Sequence, residues 1–309
     1  MEGEIEDEIM KKYIGVDLGG TNVRVAIVTE DGEIIAQEKS PSYALEGREK
    51  VLENIISLVK KLPDWEQCSG IGAGVPGPCD QVTGSMLLST NLPGFQGYPF
   101  AERLFRELNM PAFIDNDANV AGLAEAVFGA GKGLPVVYYV TISTGIGGGL
   151  VVDGKCVSGK HGFAGEIANI IIDRNREKIN HLAIGAVENE ASGTAITRKG
   201  KQLLPEFDIK HAGEVFELAG QGNETAQSII DGAVRDLAQL FATISAVVDP
   251  DIFIIGGGMM KSKKYFFEPM IEKYKELTHD ALNDTKFAEA ECEEPGVLGA
   301  AMLPRSHGF

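Results

Sequence analysis

The feature that most restricts the fold of this chain is a pattern that occurs twice. Around Tyr13, a buried strand (Tyr13-Ile14-Gly15-Val16) leads into a turn of small residues, Asp17-Leu18-Gly19-Gly20-Thr21-Asn22. Val23, Val25 and Ile27 then alternate along a second strand. Asp31-Gly32 reads as a hairpin turn, followed by a third strand over 33–38. Around Tyr139 the order returns: a strand over 136–142, a turn over 143–149, a strand over 150–152 and the hairpin dipeptide Asp153-Gly154. A strand, turn, strand and hairpin in the same order twice implies two similar α/β lobes.

The intervening chain fits that plan. Val51, Ile55, Leu58, Val59 and Leu62 give a helix over 48–62, stopped by Pro63. A short buried strand is expected over 70–75, a helix over 100–108, a strand over 112–114 and a helix over 118–128. Asp115-Asn116-Asp117 opens that last helix with the acidic and amide residues that helix starts favour. Further on come a helix over 225–248, a buried strand over 252–255 and a glycine turn over 256–258. The expected division is an acidic tail over 1–10, a small lobe over 11–118 and a large lobe over 119–294. A helix at about 295–305 is expected to pack back on the first lobe.

With 309 residues the chain can build two cores. Its net charge of −17 repels phosphate backbones and argues against a nucleic-acid partner. Glu2, Glu4, Glu6, Asp7 and Glu8 read as a solvated, disordered tail and carry the wrong sign for a secretory leader. No apolar run reaches the length of a membrane span. Cys68, Cys79, Cys156 and Cys292 are scattered without disulfide or metal spacing, so a cytoplasmic location is expected.

Three small-residue turns follow buried strands: Asp17 to Thr21, Ser143 to Gly148, and Gly256-Gly257-Gly258. Glycine lets backbone N–H groups approach a phosphate, Thr21 and Thr144 add hydroxyl donors, and Asp17 is a hard oxygen ligand suited to Mg²⁺, directly or through water. Each turn alone could be an ordinary β-turn; three at strand ends, in two repeated lobes, point to a nucleotide. A side chain at Gly145 is expected to weaken nucleotide binding sharply and binding of any second substrate much less.

On these residues the chain resembles the ROK family, sugar kinases and related repressors of the hexokinase–actin–Hsp70 superfamily. Ile14 to Thr21 is similar to the first phosphate motif. Thr144 to Gly149, with Gly159 and Ala164-Gly165-Glu166, is similar to the family signature, and Gly256 to Gly258 to the adenosine motif. The resemblance spans 12–303. It implies a two-lobed, actin-like ATPase (ribonuclease H-like) fold with a cleft between the lobes, ATP and Mg²⁺ as cofactors, and a homodimer. The implied nucleotide-binding residues are Asp17, Gly19, Gly20, Thr21, Thr144, Gly145, Gly147, Gly256, Gly257 and Gly258. Within Ile114 to Asn119 it implies that Asp117 is the general base toward the sugar hydroxyl. The physical reading agrees, since an ionised carboxylate at a helix start can orient and deprotonate a hydroxyl. Implied sugar-binding residues are Asn91, Asn116, Asp117, Glu166, Asn169 and Glu188.

The departures matter as much. The family has a histidine where Asn169 stands, and three zinc-binding cysteines where Ile179, His181 and Ala186 stand; Gly185 and Glu188 keep the pattern. One histidine does not hold zinc, so no structural zinc site is expected. Ile179, Leu182, Ala183, Ile184 and Val187 are expected to pack there as an apolar plug, with Glu188 on a helix running through Ala195 and Ile196. The implied activity is ATP-dependent phosphorylation of a hexose, first glucose to glucose 6-phosphate, with N-acetylmannosamine or another N-acetylhexosamine as the alternative. A sugar-sensing repressor is disfavoured because only about a dozen residues, acidic in character, precede the first motif, too few for a DNA-binding domain, and a non-catalytic sugar binder is disfavoured because Asp17, Asp117 and Thr144 are intact.

Overall fold

The computed structural model of the chain describes residues 10–88 and 92–309. Among these, the strands in chain order are β1 (Lys12–Leu18), β2 (Asn22–Thr29), β3 (Ile34–Pro41), β4 (Ile71–Val75), β5 (Cys79–Asp80), β6 (Ser85–Met86), β7 (Ala112–Asn116), β8 (Val136–Ile142), β9 (Ile146–Val152), β10 (Lys155–Cys156), β11 (Ile252–Gly256) and β12 (Lys286–Glu289). The α-helices are α1 (Arg48–Val59), α2 (Phe100–Leu108), α3 (Asp117–Val127), α4 (Val187–Ala191), α5 (Gly193–Leu203), α6 (Ala212–Gly220), α7 (Glu224–Val248), α8 (Phe267–Leu277) and α9 (Pro295–Ser306).

The chain forms two compact units. The first holds the described residues up to Phe128, with Gly154–Ala164 and Cys292–Phe309; the second holds Gly129–Asp153 and Gly165–Glu291. The division thus falls after Phe128, past the 118/119 boundary expected from the sequence. The reason is that α3 packs on α9: a Cβ at Gly299 would lie 1.6 Å from the Val120 carbonyl oxygen, so only glycine permits the approach. The C-terminal helix also lies against the first sheet, where a Cβ at Gly72 would sit 1.9 Å from the Ala300 oxygen.

The first unit carries a sheet in the order β3-β2-β1-β4-β7. β1 and β2 are antiparallel, β2 and β3 are antiparallel, and β1, β4 and β7 run parallel. In the second unit the run β9-β8-β11-β12 has the same plan: an antiparallel hairpin beside parallel strands. The repeated sequence pattern is therefore a repeated sheet pattern. Asp153 and Gly154 both have positive φ (50° and 71°), the paired left-handed conformation a tight two-residue hairpin demands.

Each unit has its own core. Ile14, Val16, Ile55, Phe95 and Phe100 are fully buried in the first. In the second, Phe241, Phe253, Tyr274 and Phe287 form a cluster with centroids 4.9–6.4 Å apart, edge-to-face except for the tilted Phe253–Phe287 pair. Burying one such side chain is worth roughly 1.5–3 kcal/mol before ordering costs. Parallel strands matter for function because ligands of open α/β sheets bind at the strands' carboxyl ends. Those ends are Leu18, Val75 and Asn116 in the first unit, and Ile142 and Gly256 in the second. Among the described residues no helix is long and apolar enough to cross a membrane.

Candidate active site

In the first unit, polar side chains gather at the carboxyl ends of β1 and β7, on either side of β4. Asp17 on β1 is in register with Gly74 on β4, and Gly74 with Asp115 on β7, so the two carboxylates share one row. The strand continues to Asn116, beyond the 112–114 expected from sequence, and α3 begins at Asp117 without an intervening loop. Asn116 is buried, and its Oδ1 caps the helix by accepting from the Ala118 amide at 2.8 Å. Asp117 Oδ1 accepts from the same amide at 2.8 Å.

Both acids are pushed above the ordinary carboxylate range. For Asp117 the largest cause is desolvation by crowding protein, although the residue itself stays open to solvent; the Asp17 charge pushes the same way and the Ala118 amide opposes. For Asp17 the cause is again burial, opposed by Arg24 and assisted by Glu294. Arg24 and Glu294 pair with each other. The first turn of α9 comes close enough that a Cβ at Gly296 would lie 2.7 Å from Asp17 Cγ. A helix start there favours the ionised form. The turn after β1 is closed by the Gly19 amide donating to the Asn22 oxygen at 2.9 Å and by Ser42 donating to the Thr21 and Gly20 oxygens, both at 2.8 Å. Two crowded carboxylates that repel each other fit a hard divalent cation with oxygen ligands. No cluster of three or more His, Cys, Asp or Glu suited to a metal occurs among the described residues. Asn91 lies outside the described residues.

In the second unit the 143–149 turn is shorter than its glycines suggest. β9 begins at Ile146, and Gly147 pairs with Thr141 inside the ladder. Gly148 serves space, not turning: a Cβ there would meet Ile167 Cδ1 at 2.9 Å and the Gly165 oxygen at 3.1 Å. The true turn, Ser143 to Gly145, rests on the start of α5, where the Gly193 amide donates to the Ser143 oxygen at 2.8 Å. Gly257 follows β11 with φ +92°, and Gly258 starts a 3₁₀ segment, Gly258–Tyr265.

Thr144 and Gly258 line one cavity of about 980 Å³. Its walls include Phe216 and Tyr265, stacked at 5.6 Å, while Arg198, Lys201, Lys210, Lys261 and Lys264 also line it. Flat apolar walls and a cationic lining in a chain of net charge −17 suit an aromatic, multiply anionic ligand. Phe216, Tyr265 and these five cations are not among the residues named from sequence. The basic stretch Lys261-Ser262-Lys263-Lys264 was the available signal.

Glu188 lies at the start of α4, a one-turn helix that ends at Ala191; α5 then starts afresh at Gly193, so the single helix expected through Ala195 and Ile196 is two. Glu188 Oε2 accepts from the Ile146 amide at 2.9 Å, and a Cβ on Gly145 would stand 2.5 Å from that oxygen. The neighbour of Gly145 is therefore the Glu188 carboxylate, which alters the expectation that a side chain there would trouble the nucleotide alone. Glu166 precedes the 3₁₀ turn Ile167–Asn169 and is exposed. Asn169 Oδ1 accepts from the Ala183 amide at 2.6 Å.

The expected apolar plug forms only in part: Val187 is fully buried in the core and Leu182 and Ala183 are half-buried, but Ile179 and Ile184 are exposed. The segment is held by polar contacts instead. The Ile172 amide donates to the Gly185 oxygen and the Val187 amide to the Ile170 oxygen, both at 2.9 Å. Arg176 reaches Asp173 at 2.9 Å, Glu190 at 3.2 Å and Asp236 at 3.1 Å, and Lys199 also reaches Glu190 at 2.9 Å. Glu190 and Asp236 are buried, so Arg176 ties the loop to α4 and α7 through acids that need its charge.

Residues 13–307 match the ROK family model. The chain belongs to the ROK family. A glucokinase of Thermotoga maritima is 32% identical over 309 aligned residues, covering 94% of this chain and 96% of that protein. An N-acetylmannosamine kinase of Escherichia coli O9:H4 is 31% identical, covering 94% and 97%. The structure of a ROK family glucokinase from Streptomyces griseus in complex with glucose and AMPPNP is 26% identical with TM-score 0.73, covering 95% of this chain and 99% of that one. The fold is the two-lobed, actin-like α/β ATPase fold of this ROK family.

Proposed function

We propose that this ROK protein transfers the γ-phosphoryl group of ATP to a hydroxyl of a hexose, glucose first, giving glucose 6-phosphate. The observation that carries the proposal is the crowded carboxylate pair Asp17 and Asp117 at the carboxyl ends of β1 and β7. Asp117 accepts the hydroxyl proton as the hydroxyl oxygen attacks phosphorus and the bond to the leaving ADP breaks, and desolvation, by raising its pKa, makes it a stronger base. Asn116, capping α3, Glu166 and Glu188 are assigned to the sugar hydroxyls, with Asn91 and Asn169 completing the set. The phosphates are assigned to the Asp17–Thr21 turn and to Thr144 and Gly145, and adenosine to the Gly256–Gly258 turn with Phe216 and Tyr265. Gly147, inside the β9 ladder beside the turn, is assigned to the nucleotide with them. Mg²⁺ bound with the nucleotide would neutralise charge on the transferring phosphoryl group, and Asp17 is assigned to hold it, directly or through water. A homodimer in the cytoplasm, working without zinc, completes the proposal.

A second reading, an N-acetylhexosamine as acceptor, rests on the near-equal likeness to a glucokinase and an N-acetylmannosamine kinase. A coupled ADP-release assay over glucose, mannose, N-acetylglucosamine and N-acetylmannosamine decides between them. The proposal stands if glucose gives the highest kcat/KM, the second reading replaces it if N-acetylmannosamine does, and both fail if no sugar stimulates ADP release.

A further inference from the structure

Directly before the base lies a second acid that the proposed chemistry does not use. Asp115 is 1% exposed. A carboxylate can accept about four hydrogen bonds, and this one is saturated. Its Oδ1 accepts from the Asn116 amide at 2.7 Å and from Asn119 Nδ2 at 2.8 Å. Its Oδ2 accepts from Ser158 Oγ at 3.2 Å and from Gln81 Nε2. These donors come from separate places: the turn itself, α3, the loop after β5 and the Gly154–Ala164 segment. A second titratable group against it is the half-buried Cys156 thiol, whose Sγ also lies 3.5 Å from the Asn119 oxygen.

An apolar side chain would fill the end of β7 without the desolvation cost of a carboxylate. What the carboxylate adds is a fixed shape for the next three residues. It holds the Asn116 amide from below, while Asn116 Oδ1 and Asp117 Oδ1 share the Ala118 amide above. We propose that Asp115 is a positioning residue. By binding Gln81, Ser158, Asn119 and the Asn116 amide at once, it holds the β7–α3 turn in the form that presents Asp117 to the acceptor hydroxyl. The inference rests on Asp117 being the base.

The test is steady-state kinetics and pH profiles of Asp115→Asn, Ser158→Ala and Gln81→Ala, beside Asp117→Asn. An amide at 115 turns one acceptor into a donor facing donors, so the turn must shift. Misplacing a reacting group by 1 Å costs about 100-fold, so kcat of Asp115→Asn should fall roughly 30- to 100-fold with the KM for ATP within about twofold. Ser158→Ala and Gln81→Ala each remove one of four bonds and should lower kcat by about threefold to tenfold, with melting temperature little changed. The acid limb of kcat/KM should also move to higher pH, because a loosened turn weakens the Ala118 amide's hold on Asp117, leaving the Asp17 charge opposed less. Loss of stability alone would not move that limb. If Asp115→Asn does not fold, Ser158→Ala and Gln81→Ala decide. Wild-type kcat and an unmoved limb in the folded variants overturn the inference. Retained turnover in Asp117→Asn overturns the base assignment instead, so the two failures are distinguishable.

Discussion

Gly145→Ala is a small change whose consequences can be worked from the geometry. The new Cβ would stand 2.5 Å from Glu188 Oε2, against about 3.4 Å for ordinary contact, so the carboxylate must retreat by about 0.9 Å. Glu188 is the end of a flexible side chain and can do so without disturbing the backbone. The retreat costs the bond from the Ile146 amide, which at 2.9 Å has no such slack; opened along its axis it would reach about 3.8 Å, which is no longer a hydrogen bond. A hydrogen bond to a charged acceptor is worth about 1.5–3 kcal/mol, and the lower value applies because water can replace the lost partner. At 1.4 kcal/mol per factor of ten, kcat/KM for the sugar should fall about tenfold. Melting temperature should stay within a few degrees of wild type. Gly257→Ala supplies the contrast. There φ is +92° and the new Cβ would lie 2.5 Å from the Ile142 carbonyl oxygen, backbone that cannot yield, so that variant should be severely destabilised. The assay is sugar-dependent ADP release with ATP saturating, together with sugar titration by calorimetry without nucleotide. If Gly145→Ala raises only the KM for ATP and leaves sugar affinity unchanged, Glu188 does not link the turn to the sugar, and its assignment falls.

Asp117→Asn should lower kcat by about two to four orders of magnitude with sugar affinity within a few-fold, the usual worth of a positioned base; calorimetry and initial rates on the folded variant check it. The same change should raise the melting temperature at neutral pH. Asp117's folded pKa lies above its unfolded value, so its ionised form opposes folding at pH above that folded value, and the amide removes the opposition; an unchanged or lower melting temperature contradicts this. The acid limb of kcat/KM should lie above about pH 3.9, the value of an unperturbed aspartate, and activity should decline as pH falls through it; full activity at pH 4 would remove the crowding argument. Arg176→Ala should cost about 3 kcal/mol by leaving Asp236 buried without its ion-pair partner and Glu190 with Lys199 alone, a fall in melting temperature of several degrees that a chelator does not enlarge.

How far the sequence could be read depends on which interactions each element answers to. The helix over 100–108 and the strand over 136–142 were legible to the residue, because their apolar periods match the faces they bury and their ends carry ordinary turn residues. Gly147 to Gly149 read as turn because glycine usually signals turning, yet they form strand: the Ile167 side chain and the Gly165 carbonyl press on Gly148 from eighteen residues or so further along, and no local window contains them. The β7–α3 junction failed in the same direction. Asp115 and Asn116 are poor strand residues by propensity, but the parallel ladder with Gly74 and Val75 overrides that and carries the strand to the edge of the helix. The loop over 169–187 failed differently. Its missing cysteines were visible, and apolar packing was the natural substitute, but Ile179 and Ile184 face solvent. What holds the loop is one arginine answering acids from its own loop, from α4 and from the middle of α7, a pairing that spacing cannot reveal. The site residues named from sequence are those that sit beside their own motif in the chain. The ones missed, the stacked Phe216 and Tyr265 and the cations around them, meet only because α5, α6 and the Gly258–Tyr265 segment fold onto one cavity. A nucleotide site is built half from a motif, which one stretch of sequence can show, and half from walls that exist only once distant helices pack.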